Sequence, residues 1–90
     1  MSHLSRNKSK LITRLRRIKG QVEGVERALE SEAACGEILR QIASVRGAIT
    51  GLTNEVLEEH MRNHVVDAPT SSDREQAAIE MIEILKSYMK

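Results

Sequence analysis

Phenylalanine and tryptophan are missing from this 90-residue sequence, and Tyr88 is its only aromatic residue. A core must therefore be assembled from Leu, Ile, Val, Met and Ala, a palette that suits packed helices and argues against a β-sandwich. Cysteine is as scarce: Cys35 stands alone, so no intrachain disulfide can staple the domain. A chain of this length is too short for two independent cores, buries only about 60% of its unfolded surface and is marginal by itself. One domain over residues 1–90 that oligomerises is the expectation. A lone thiol fits a reducing compartment, and Met1-Ser2-His3-Leu4 lacks the basic-then-apolar build of a secretory signal, so the expected location is the cytoplasm. No apolar run approaches the roughly 18 residues that span a bilayer, so no membrane insertion is expected.

Net charge is also small, at +1, yet the average conceals an asymmetry. Up to Arg27 the chain carries Arg6, Lys8, Lys10, Arg14, Arg16, Arg17, Lys19 and Arg27 against Glu23 and Glu26, and the acids gather in the remainder. Between Arg6 and Lys19 no acid occurs, which concentrates positive field at one end of one element. Charge by itself leaves two readings open, a surface facing phosphates and an ordinary solvated helical face.

Leu11, Leu15, Ile18, Val22, Val25 and Leu29 step alternately by four and three, the rhythm of a helix packed on another helix, and predict helix 1 over about 6–30. Ile38, Ile42, Val45, Ile49, Leu52 and Val56 repeat the pattern within a second helix over about 34–65, with Leu57 and Met61 on an adjoining face. The segment Asp67-Ala68-Pro69-Thr70-Ser71-Ser72-Asp73 holds the only proline among small polar residues and predicts a loop over 66–72. Ser72 to Glu75 has the form of a capping box opening helix 3 over about 73–89, whose Ala78, Ile82, Leu85 and Met89 keep helical spacing. Its acids Glu75, Glu80 and Glu83 read as a solvated face. Gly20 with Gly24, and Ala43 with Gly47 and Gly51, lie one turn apart, permitting either close backbone approach or simple tolerance. Helix 1 and helix 2 as a hairpin, with two hairpins making an antiparallel four-helix bundle, would bury both stripes.

Strong soft or imidazole ligands are confined to His3, Cys35, His60 and His64. His60 and His64, four apart on a helix, point the same way and can bite one metal ion, though the same spacing also occurs on plain polar faces. Cys35 and His60 are separated by about 37 Å of helix, far beyond a coordination distance of about 2 Å. No single chain can close such a site. If two copies of helix 2 pack antiparallel, Cys35 of one copy meets His60 and His64 of the other. His3 and the α-amine of Ser2, exposed if Met1 is removed, are further candidate ligands.

The run Arg14-Leu15-Arg16-Arg17-Ile18-Lys19-Gly20-Gln21, Cys35, the run Gln41-Ile42-Ala43-Ser44-Val45-Arg46-Gly47-Ala48 and His60 together resemble the CsoR/RcnR/FrmR family of small-ligand-responsive repressors, over nearly the whole chain. The resemblance implies an all-α fold, a disc-shaped dimer of dimers, binding to double-stranded operator DNA when empty, and release on ligand binding, without a helix-turn-helix. It also implies Arg14, Arg17 and Gln21 as operator-binding positions, to which charge adds Lys10, Lys19, Arg16 and Lys8. Its ligand positions read here as His3, Cys35, His60 and His64, similar to the nickel/cobalt-sensing RcnR branch. Ni(II) or Co(II) is the implied ligand, with Zn(II) as a further candidate and control of a metal efflux system as the implied output. The Cu(I)-sensing CsoR branch places a second cysteine where His64 stands. The formaldehyde-sensing FrmR branch is the nearest alternative; its chemistry would join formaldehyde to the Cys35 thiol and the Ser2 α-amine.

An enzyme is not expected. Glu59-His60-Met61-Arg62-Asn63-His64 is not the H-E-x-x-H arrangement that aims a general base at metal-bound water, and no catalytic triad set or glycine-rich phosphate loop occurs. A plain helical scaffold would leave the basic helix and the four ligand residues unexplained.

Overall fold

The computed structural model describes residues 7–88. Among the described residues the chain is all-α: α1 runs Lys8–Glu30, α2 runs Cys35–Met61 and leads into a π-helical turn at Arg62–Val66, and α3 runs Ser71–Tyr88. The expected start of helix 1 at Arg6, and Met89 of helix 3, lie outside the described residues. None of these helices is long and apolar enough to cross a membrane.

The chain forms two compact units, one holding α1 and α2 as far as Glu55, the other starting at Val56 and holding the end of α2, the π turn and α3. In the first unit the helices make an antiparallel hairpin. Arg14 near the start of α1 bonds Glu55, and a Cβ placed on Gly24 further along α1 would lie 3.7 Å from Gln41 Oε1. A Schellman motif closes α1: Ala33 N–H donates to Ala28 O at 2.9 Å and Glu32 N–H to Leu29 O at 3.2 Å. Glu32 takes the left-handed conformation, φ 56°, that glycine usually supplies at this position. Glu37 in the first turn of α2 suits the positive helix end, and side chains of Gln41 and Arg40 bond its carboxylate.

The apolar stripe of each hairpin helix divides into two lines. On α1, Leu11 and Ile18 are buried and Val25 half-buried, whereas Leu15, Val22 and Leu29 are exposed. On α2, Ile38, Val45 and Leu52 are half-buried, whereas Ile42 and Ile49 are exposed; Val56, next on the line of Ile42 and Ile49, is half-buried, and the helix has no fully buried residue. A 27-residue helix without one buried side chain is covered incompletely by its own chain. Glycines do not bring backbones together here: a Cβ on Gly20 or Gly47 would meet nothing within 4 Å.

In the second unit, helix 2 differs from the expected uniform helix to about residue 65. Asn63 Nδ2 donates to Glu59 O at 2.8 Å, occupying the carbonyl that its own N–H would use in an α-helix. The ladder widens, and Asp67 N–H reaches back to Arg62 O at 2.9 Å. Arg74 Nε donates to Val65 O at 3.0 Å and satisfies a carbonyl at this frayed end. Helix 3 begins two residues earlier than expected. Thr70, not Ser72, is its cap: Asp73 N–H donates to Thr70 Oγ1 at 3.0 Å, and Thr70 Oγ1 donates to Asp73 Oδ2 at 2.8 Å. Pro69 disfavours helix at Ala68, so the first position free to cap is Thr70, which leaves Ser71 and Ser72 inside the first turn. Ala77 and Met81 are the buried residues of α3.

Candidate nucleic-acid face and ligand site

The cationic segment folds as the first three turns of α1, where nothing acidic interrupts it. Lys8, Arg16, Arg17 and Lys19 are exposed. Two shallow depressions run along this surface, one lined by Lys10, Thr13, Arg14 and Arg17, the other by Lys8, Ser9, Ile12, Thr13 and Arg16. Their walls carry the positive charge and small hydroxyls that phosphate oxygens accept from. Arg14 and Lys10 are tied to α2 as well: Arg14 Nη1 donates to Glu55 Oε2 at 2.6 Å, and Lys10 Nζ lies 3.4 Å from Glu55 Oε1. The hydrogen bond from Arg14 holds the Glu55 carboxyl below its ordinary value of 4.5, helped by Lys10 and opposed by desolvation. Gln21 is half-buried; its amide oxygen is buried and takes no hydrogen bond among the described residues.

Cys35 is the first residue of α2, exposed, with a free thiol. His60 lies in the last turn of α2 and His64 in the π turn; their ring centroids are 5.0 Å apart and the planes are tilted by 42°. Both histidines line one cavity of the second unit together with Asn63, Pro69, Asp73, Gln76, Ala77 and Glu80. Among the described residues no group of three or more His, Cys, Asp or Glu is gathered closely enough to hold a metal ion. Two imidazoles this close offer nitrogen donors of the kind that borderline divalent ions accept. His3 and the Ser2 α-amine lie outside the described residues.

Glu55 is not among the residues expected from the sequence to carry function; its signal there is its place on α2 opposite Arg14 in an antiparallel hairpin. Glu75, Glu80 and Glu83 are exposed, as expected of a solvated face, and Glu80 also lines the histidine cavity with Asp73.

A family model described as metal-sensitive transcriptional repressor matches residues 7–87. The transcriptional repressor RcnR of Salmonella paratyphi B is 38% identical, with all of both chains covered. Among solved structures, a variant of the formaldehyde-responsive regulator FrmR from Salmonella enterica serovar Typhimurium superposes with a TM-score of 0.87 at 44% identity, covering 97% of this chain and 99% of the other. The copper-sensing repressor CsoR with Cu(I) from Geobacillus thermodenitrificans NG80-2 gives a TM-score of 0.88 at 30% identity, covering 96% and 90%.

Proposed function

Because the chain belongs to the metal-sensitive transcriptional repressor family, whose members are not enzymes, we propose that it is a repressor that holds operator DNA when empty and lets go on binding Ni(II) or Co(II). The observation that carries the ligand is the His60–His64 pair, 5.0 Å apart in one cavity. Two imidazoles with a single thiolate favour a borderline ion such as Ni(II), Co(II) or Zn(II) over Cu(I), which prefers an excess of sulfur. Cys35 and His60 stand at opposite ends of a 27-residue helix, so the donor set is completed between two chains packed with their α2 helices antiparallel. The exposed lines Leu15-Val22-Leu29 and Ile42-Ile49 supply the apolar face for that pairing, and two such dimers make the working assembly in the cytoplasm.

Ligand binding requires Cys35 as thiolate and both histidines neutral, and so releases a proton from the thiol. His3 and the Ser2 α-amine join the same set. The leader that bears them adjoins the basic start of α1. Drawing it toward the ligand disturbs the surface of Arg14, Arg17, Lys10, Lys19 and Arg16, with Gln21, that meets the duplex, a coupling of about 1–3 kcal/mol. The relieved gene is one for metal efflux.

A second reading, response to formaldehyde, is favoured by the exposed Cys35 thiol and by the 44% identity to FrmR. The test is DNA binding by the metal-free protein, titrated in parallel with Ni(II), Co(II), Zn(II), Cu(I) and formaldehyde. Release by Ni(II) or Co(II), abolished in Cys35→Ala, is the expected result. A complex indifferent to these metals and dissolved by formaldehyde replaces the first reading with the second.

A further inference from the structure

Glu55 is placed differently from two other acids that pair with cations, Glu37 and Glu58. Glu37 and Glu58 bridge to Arg40 and Arg62 within their own helix turns, on open surface. Glu55 instead reaches from α2 across to α1 and engages two cations, one with each oxygen: Arg14 at 2.6 Å and Lys10 at 3.4 Å. Its side chain is only 23% exposed, and that of Arg14 39%. One turn earlier on α2, Gly51 makes room for the same guanidinium, since a Cβ there would stand 2.8 Å from Arg14 Nη2 and 3.6 Å from Cζ. Gly51 and Glu55 therefore form a built seat, a gap in the helix surface for the flat guanidinium and a carboxylate at its edge.

A carboxylate and a phosphate present the same thing to an arginine, two anionic oxygens matched to parallel N–H donors. Arg14 and Lys10 share their depression with Arg17, so they border the surface assigned above to DNA. We propose that Glu55 is an internal competitor for the DNA phosphates: it occupies Arg14 and Lys10 in the free protein, must be displaced as the duplex docks, and thereby sets how tightly this chain grips DNA. This inference rests on the DNA-binding reading. While the seat is filled, Lys10, Arg14 and Glu55 present one net positive charge to an approaching duplex. Displacement frees both cations for phosphate at the cost of leaving the carboxylate with less of its charge compensated.

The test is fluorescence anisotropy with a labelled mixed-sequence DNA duplex, which suffices because phosphate contacts are independent of sequence. Affinity is measured across a salt series for the full-length metal-free protein and for Glu55→Gln, which keeps side-chain shape and removes the charge. Glu55→Gln should bind several-fold more tightly. The slope of log K against log salt should change little, because the same cations reach phosphate in both bound complexes and the gain lies in no longer having to displace the Glu55 carboxylate. Arg14→Ala should cost more affinity in the Glu55→Gln background than in the wild type, because only there is Arg14 unoccupied. Equal or weaker binding by Glu55→Gln, with circular dichroism showing intact helices, overturns the proposal, as does an equal cost of Arg14→Ala in both backgrounds. Wild-type protein that binds salt-sensitively while Glu55→Gln changes nothing sinks the competitor alone; failure of both proteins to bind duplex sinks the DNA reading with it.

Discussion

Replacing Ile42 and Ile49 together by Gln tests whether the exposed line of α2 is an interface between copies. Both are 47% exposed in the chain, so roughly half of each side chain remains to be buried. Full burial of an isoleucine is worth about 1.5–3 kcal/mol, which leaves about 0.7–1.4 kcal/mol for each still-open half. In a two-fold symmetric dimer each substitution counts twice, so the pair should cost about 3–6 kcal/mol of association. At about 1.4 kcal/mol per decade, the dimer dissociation constant should rise by about two to four orders of magnitude. Gln is a good helix former, so the helices themselves should persist. Sedimentation equilibrium over a concentration series reads the constant directly, with circular dichroism as the check on helix content. If these residues merely face water, the double substitution should shift stability by no more than about 0.5 kcal/mol per site and leave assembly untouched. An unchanged association constant, or a wild type that stays monomeric, would refute the two-chain site together with the reasoning from exposure.

Further outcomes follow from single contacts. Cys35→Ser and His64→Ala should each weaken Co(II) binding by about tenfold or more, and only Cys35→Ser should erase the sulfur-to-metal absorption band, while DNA binding by the metal-free proteins is retained. Thr70→Ala removes the cap of α3 and should destabilise the protein by about 1 kcal/mol, read as a lower urea midpoint at fixed protein concentration. Glu32→Gly should do the reverse, raising stability by about 0.5–1 kcal/mol, because φ 56° strains glutamate and not glycine; no gain in the urea midpoint would contradict the assigned backbone. Glu55 has a folded value lowered from 4.5, so its contribution is complete above that ordinary value and is lost as pH falls through the lower folded one. The stability gap between wild type and Glu55→Gln should accordingly be widest near neutrality and close on acidification, as urea titrations across pH would record.

Much of this molecule follows from its amino-acid order alone, because helix formation and amphipathic patterning are local. The want of large aromatics, the four-three alternation of Leu11 to Leu29 and of Ile38 to Val56, and the acid-free stretch up to Lys19 required long helices, a helical partner and one cationic end. The same order placed Cys35 and His60 too far apart along one helix to share an ion within a chain. Tertiary structure decided what depends on which atoms meet. It split each apolar stripe into a covered and an uncovered line, a distinction invisible to periodicity because both lines share one repeat. It moved the cap of α3 to Thr70, since the usable hydroxyl is the one nearest the amide of Asp73 once Pro69 has turned the chain. It turned the end of α2 into a π turn, where the side chain of Asn63 occupies the Glu59 carbonyl. It also set Glu55 against Arg14, a contact between residues 41 apart that only an antiparallel register could bring together.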